Sequence, residues 1–262
     1  MDLGLEGSRA LVAASSRGLG RAVARELAAE GARVVITSRS KGTLEEAAAG
    51  IAGETGGQVG WVAADLRRAE DVRRLVAEAA GRLGGLDVLV TNSGGPPAGD
   101  FEDFGDEAWR EAFELNLLSV VRLVREALPH LRASRSGRIL NIASSSIKQP
   151  IEGLVLSNTF RAGVAGLAKS LAAELAPEGI LVNTIGPGRI STDRVRQLDE
   201  ARAKELGITP EEAKARSEAG IPLGRYGTPE ELARLATFLV SPANSYVTGQ
   251  AVLVDGGMVR AL

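Results

Sequence analysis

Seven short runs of aliphatic and β-branched residues recur along the chain, and the stretches between them have helical spacing. The runs are RALVAA (9–14), RVVIT (33–37), VGWVAA (59–64), DVLVTN (87–92), RILNIA (138–143), ILVNTI (180–185) and AVLVD (251–255). Runs this short and this apolar read as strands covered on both faces. Between them, Leu19, Val23 and Leu27 are spaced by four, and Val72, Leu75, Val76, Ala79 and Leu83 fall on one face of a helix. Strand–helix alternation with right-handed crossovers gives an α/β fold, a doubly wound three-layer sandwich around a seven-stranded parallel sheet. No linker, repeat or low-complexity tail divides residues 1–262, so a single domain is expected.

Composition narrows the function. Aromatics make up only 3% against 44% hydrophobic residues, so Ala, Val, Leu and Ile must build the core. There is no cysteine, which removes disulfides and thiolate metal sites, and the single histidine, His130, rules out a histidine-rich metal centre. Net charge is −2 with both signs interspersed, so no nucleic-acid-binding surface is advertised. No signal pattern opens the chain and no long apolar run crosses a bilayer, which together predict a soluble cytoplasmic protein.

One segment breaks the alternation. Residues 189–227 are polar and helical, and too long for a simple connection. Thr209, Pro210 and Glu212 spell a capping box, and TPEE recurs at residues 228–231. The insertion is either a solvated excursion or a lid. Its position directly after a strand end, where open α/β sheets bind ligands, favours the lid.

The turn after the first strand, AASSRGLG (13–20), opens a helix. Glycines at 18 and 20 permit a tight turn and close approach of backbone to phosphate, with free helix N–H groups facing it. At this turn the chain resembles the short-chain dehydrogenase/reductases, most closely the 3-oxoacyl-(acyl-carrier-protein) reductase branch, along essentially its whole length. The resemblance implies a Rossmann-like dinucleotide site. Ala14, Ser16, Arg17, Gly18, Leu19 and Gly20 match the family's glycine turn, with Ala14 replacing its first glycine. That methyl group is tolerated if the backbone at 14 keeps a negative φ. Asn92, Ser93 and Gly94 match a partly changed N-N-A-G segment, and Asp65 and Leu66 match the pair beside the adenine. Pro187, Gly188, Ile190 and Thr192 match the loop at the nicotinamide amide.

Cofactor choice follows from charge. An acid at the end of the second strand would favour NAD, whereas a 2′-phosphate calls for arginine. This chain has Ser38 followed by Arg39, with Arg17 in the glycine turn, so NADP (NADPH) is expected over NAD. A plain surface arginine pair is the alternative.

The resemblance also implies a catalytic tetrad, and only half of it carries over. Asn116 matches the family's relay asparagine and Ser144 its carbonyl-positioning serine; a helix-kink asparagine and a loop-capping serine are the structural alternatives. The tyrosine position falls on Ser157 and the lysine position on Arg161. The only tyrosines, Tyr226 and Tyr246, lie in other segments. A serine hydroxyl is a far weaker acid than a phenol, and arginine stays protonated. Lys148, four residues past Ser144, is the one conceivable replacement donor if burial lowers its pKa, and is otherwise an ordinary loop lysine.

Three readings remain open from sequence: an NADP-dependent oxidoreductase on a carbonyl or hydroxyl substrate with non-standard proton transfer, through Lys148 or water; a non-catalytic nucleotide-binding sensor or partner subunit; and an isomerase or dehydratase on the same fold. The first ranks ahead, because Arg161 keeps the ribose-binding charge. The resemblance further implies a small-molecule substrate, with an acyl thioester as a candidate, and a homotetramer, with a dimer as fallback. No nucleic-acid or membrane partner is expected.

Overall fold

In the computed structural model, which describes residues 2–134 and 136–261, all seven runs are strands of one parallel sheet. They are β1 (Arg9–Val12), β2 (Arg33–Ser38), β3 (Val59–Ala63), β4 (Val88–Thr91), β5 (Arg138–Ile142), β6 (Leu181–Pro187) and β7 (Ala251–Val254), in spatial order β3-β2-β1-β4-β5-β6-β7. The order reverses direction at β1, beside β4, and that reversal opens a crevice at the carboxyl ends of the strands.

The alternation of side chains along each strand sorts the core into two halves. Ala10 and Val12 of β1 point to one side, with Val34, Ile36, Val88, Val90, Leu140 and Ile142. There they meet α1 (Gly18–Ala29), α2 (Lys41–Thr55) and α9 (Pro229–Val240). Leu11 and Ala13 point the other way, with Val35, Leu89, Ile139 and Val182. That layer is closed by α3 (Ala69–Leu83), α5 (Ser119–Arg132) and α6 (Val155–Leu175). Val23, Leu27, Val72, Leu75, Val76, Ala79 and Leu83 are all buried, and Leu19 packs at the margin of its cluster. The expected α/β sandwich, a single domain, is therefore the observed one.

The opposite ends of the strands are pinned by charge. Asp87, just before β4, accepts from Arg9 Nε at 2.8 Å, Arg9 Nη2 at 2.6 Å and Ser134 Oγ at 2.6 Å. Bidentate geometry at a partly buried site makes this a stronger pair than an exposed one.

Residues 189–227 hold α7 (Asp193–Leu206) and α8 (Pro210–Ala219). The base of the excursion is tied shut: Ser191 N donates to Gly227 O and Gly227 N to Arg189 O, both at 2.9 Å. The capping box at Thr209 and Glu212 is present, and a second closes the start of α9 at Thr228 and Glu231. No described helix is long and apolar enough to cross a membrane.

Candidate active site

The glycine turn is held by Ser15 from within and by Asn92 from outside. Ser15 Oγ donates to Val12 O at 2.6 Å and accepts from Thr37 N at 3.1 Å, which stitches the ends of β1 and β2 together. Asn92 Nδ2 donates to Ala14 O at 3.1 Å across from β4. A Cβ at Gly20 would sit 2.5 Å from Ala14 O and 2.9 Å from Ser15 Cα, so only glycine lets α1 start this close to the strand. Gly18 has φ +58° and Ala14 has φ +46°, the one positive-φ residue besides glycine among those described. The condition of a negative φ at Ala14, under which its methyl group would cost nothing, is not met. The turn keeps its left-handed geometry, and Ala14 accepts the strain that glycine would avoid.

The N-terminus of α1 has no side-chain cap, as is also the case for α2, α3, α4 (Asp106–Phe113), α5 and α6, whereas α7, α8 and α9 each have a threonine cap. Its free N–H groups and dipole face the crevice, beside Ser16, Gly18 and Leu19. Arg17 and Arg39 are exposed, and neither guanidinium hydrogen-bonds or pairs with an acid among the described residues. Half-buried Ser38 stands at the end of β2, where its hydroxyl faces only Ser40 O at 3.5 Å. Asp65 is already engaged: Arg67 Nη2 donates to it at 2.7 Å, and this bond leads in holding the carboxyl below its ordinary 3.8. Leu66 beside it is buried.

Deeper in, Asn116 lies within a π-helical turn (Glu114–Leu118) between α4 (Asp106–Phe113) and α5. It is fully buried; its Nδ2 donates to Ala112 O at 3.1 Å and its Oδ1 accepts from Ser93 Oγ at 3.3 Å. A π-turn widens the helix locally and often marks a working site. Arg161, on α6, is only 5% exposed. Its Nη1 donates to Ile142 O at 3.1 Å and its Nη2 to Ser93 O at 3.3 Å, so it joins the carboxyl end of β5 to the loop that follows β4. Burial, and then the charge of Arg194, pull its pKa down to about 10. It still carries its charge at neutral pH.

Ser144 opens the turn after β5 and accepts from Ser146 N at 3.1 Å, so its oxygen caps a 3₁₀ turn while its proton stays free to donate. Ser157, in the first turn of α6, is half-buried. Lys148 is exposed at the end of the Ser145–Ile147 turn, so the burial on which its candidacy as a donor depends is absent.

The loop after β6 closes the crevice. A Cβ at Gly188 would sit 2.6 Å from Asp255 Cβ, which fixes glycine there next to Pro187. Ile190 is buried, and Thr192 caps α7 while reaching back to within 3.9 Å of a Cβ built at Gly18. Two residues on, Arg194 Nη2 donates to Pro96 O at 2.6 Å. No motif flags Arg194 in the sequence; only the fold brings it to the site. Tyr226 belongs instead to the base of residues 189–227, where its hydroxyl donates to buried Asp199 at 3.0 Å, beside Arg189.

These residues fit a dinucleotide. The uncapped helix start suits a pyrophosphate, a Cβ at Gly94 would meet nothing within 4 Å, and Arg161 retains donors for ribose hydroxyls. Fold and site together define a parallel α/β protein of the dinucleotide-binding class.

Known proteins narrow this class. A family model described as Enoyl-(Acyl carrier protein) reductase matches residues 13–259. The 3-oxoacyl-[acyl-carrier-protein] reductase FabG of Aquifex aeolicus is 36% identical over 258 residues, covering 98% of this chain and 100% of the relative. The D-beta-hydroxybutyrate dehydrogenase of Cupriavidus necator is 36% identical over 262 residues, covering 97% and 99%. Among solved structures, the L-sorbose reductase from Gluconobacter frateurii complexed with NADPH and L-sorbose superimposes with a TM-score of 0.95 at 34% identity, over 100% of both chains. The chain belongs to the short-chain dehydrogenase/reductase family.

Proposed function

We propose that the chain is an NADP(H)-dependent oxidoreductase that interconverts a carbonyl and a hydroxyl without a tyrosine as proton donor. The observation that carries this is Arg161: a buried cation, with no acid partner among the described residues, placed between the carboxyl ends of β4 and β5. At the family's lysine position it supplies positive potential and ribose contacts, but it is a poor acid.

When bound, the nicotinamide supplies or accepts the hydride. Gly18, Leu19 and the start of α1 would hold the pyrophosphate, with Thr192 beside Gly18, and Asn92, Ser93 and Gly94 would meet the ribose. Arg17 and Arg39 would hold the 2′-phosphate, which Ser38, unlike an acid, would not repel. Ser144 donates its free proton to the substrate oxygen as a hydrogen bond, and the charge of Arg161 stabilises the oxygen as it becomes negative. Asn116 holds Ser93, and with it the floor of the pocket. Proton delivery falls to water, with Lys148 the alternative donor once residues 189–227 close over the site as a lid. A missing positioned acid lowers the rate by about 10²- to 10⁴-fold, so slow turnover is part of this proposal.

Titration with NADPH and NADH, followed by a panel of β-ketoacyl thioesters and simple ketones, tests it. Saturable NADPH binding with substrate-dependent oxidation supports the enzyme. Failure of both nucleotides to bind removes the dinucleotide assignment. The exposure of Lys148 favours a second reading, a nucleotide-binding partner or sensor protein, which predicts binding without turnover. Exposed Phe101, in the turn before α4, and Phe113, together with Trp109 of α4 and Phe160 of α6, form an aromatic group that fits the homotetramer proposed from the family.

A further inference from the structure

Two arginines grip opposite ends of one short loop. Arg161 Nη2 donates to Ser93 O at 3.3 Å, and Arg194 Nη2 donates to Pro96 O at 2.6 Å. The Nε of Arg194 also lies 3.1 Å from where a Cβ on Gly95 would stand. Residues 93–96 therefore carry a guanidinium at each end. Between them Gly94 leaves open space, since a Cβ there would meet nothing within 4 Å.

Neither cation is neutralised. The acids nearest to Arg194 in sequence are committed elsewhere: Asp193 pairs with Arg196 at 3.0 Å, and Asp199 with Arg189 at 3.0 Å and Tyr226. Arg161 and Arg194 make no ion pair among the described residues, and each guanidinium has five N–H donors against the one or two used here. The repulsion is felt across the pocket, since burial and then the charge of Arg194 lower the pKa of Arg161, and burial lowers that of Arg194. Arg161 is buried and Arg194 half-buried; like charges so placed without a counter-ion are unfavourable, and an anion placed between them offsets part of that cost.

We propose that Arg161 and Arg194 jointly bind an oxyanion of the substrate, a carboxylate or a phosphate, so that the substrate is a carbonyl or hydroxyl compound bearing such a group near the reacting carbon. This rests on the oxidoreductase reading above. The cofactor pyrophosphate is the other source of the same chemistry. It belongs to the uncapped start of α1, whereas Arg194 turns toward Pro96, on the loop that leads from β4 to α4.

The test is calorimetric titration of malonate and of inorganic phosphate into the protein, alone and loaded with NADPH, for the wild type, Arg194→Gln and Arg194→Lys. Thermal melting confirms that each variant is folded. The expected result is anion binding that persists in the NADPH complex, weakens roughly tenfold or more in Arg194→Gln and is largely kept in Arg194→Lys, with NADPH affinity unchanged. The relative strength of malonate and phosphate identifies which oxyanion fits. Anion binding abolished by NADPH would assign the arginines to the cofactor and overturn the proposal, as would binding indifferent to Arg194→Gln or none at all. If NADPH itself does not bind, the oxidoreductase reading fails separately, and the Arg194 dependence is still read on the unloaded protein.

Discussion

Arg161 Nη2 donates to the carbonyl oxygen of Ser93 at 3.3 Å, and Ser93 Oγ in turn donates to Asn116 Oδ1 at 3.3 Å. One buried chain of contacts thus runs from α6 through the loop after β4 to the π-turn before α5. On the proposed reading the pocket keeps its shape without a tyrosine and takes its proton from water or Lys148.

Ser157→Tyr places a phenol one helical turn from the Arg161 cation. A nearby positive charge lowers a phenol from its usual value near 10, so the variant gains a usable acid. Reduction should accelerate about 10²-fold, and the pH–rate profile should acquire an alkaline limb. An unchanged rate, with the protein folded and binding NADPH, would show that position 157 does not face the substrate oxygen.

Arg39→Ala should weaken NADPH roughly tenfold and leave NADH nearly unchanged, because only the 2′-phosphate distinguishes the two. Fluorescence titration measures this, and the NADPH preference should shrink as salt is raised. Equal losses for both nucleotides would place Arg39 elsewhere.

Ala14→Gly should stabilise the protein. A left-handed φ of +46° costs alanine about 1–2 kcal/mol, and the added freedom of an unfolded glycine returns about 0.4–1. The net gain of about 0.5–1 kcal/mol raises the melting temperature by about 2 °C. A fall in the melting temperature contradicts the strain.

Asp87 gives the protein an acid-sensitive pin. Burial alone would raise its pKa, but the hydrogen bonds from Arg9 and Ser134 outweigh that and hold it below 3.8. A lowered folded value means the stabilisation is complete above the unfolded pKa and is lost as pH falls through the folded one. Denaturant titrations below about pH 4 should therefore show a steep decline in stability that flattens in Asp87→Asn. At neutral pH that variant should be about 1–3 kcal/mol less stable.

The strands were legible because burial on both faces leaves an unbroken aliphatic signature, and all seven runs lie in the sheet with ends shifted by at most two residues. Thr209 and Thr228 announced their helices because a capping box is local chemistry. The positive φ of Ala14 was not legible for the opposite reason: the Asn92 side chain that holds its carbonyl comes from 78 residues away, and no neighbouring residue encodes the contact. Asn116 could be placed in the pocket by its motif, but the π-turn that turns it toward Ser93 is invisible in an ordinary helical pattern. Arg194 escaped altogether, since its partner Pro96 is 98 residues away and nothing in PGRISTDR marks it as a pocket residue.

The most direct measurement is a single turnover, with protein in excess over NADPH and the carbonyl panel, keto acids included, added to the complex. The account predicts substrate-dependent loss of NADPH absorbance, slow but complete, and slowed further by deuterium at the transferred position of the nicotinamide. NADPH that binds and stays reduced with every substrate would contradict it and leave a nucleotide-binding protein on an oxidoreductase scaffold.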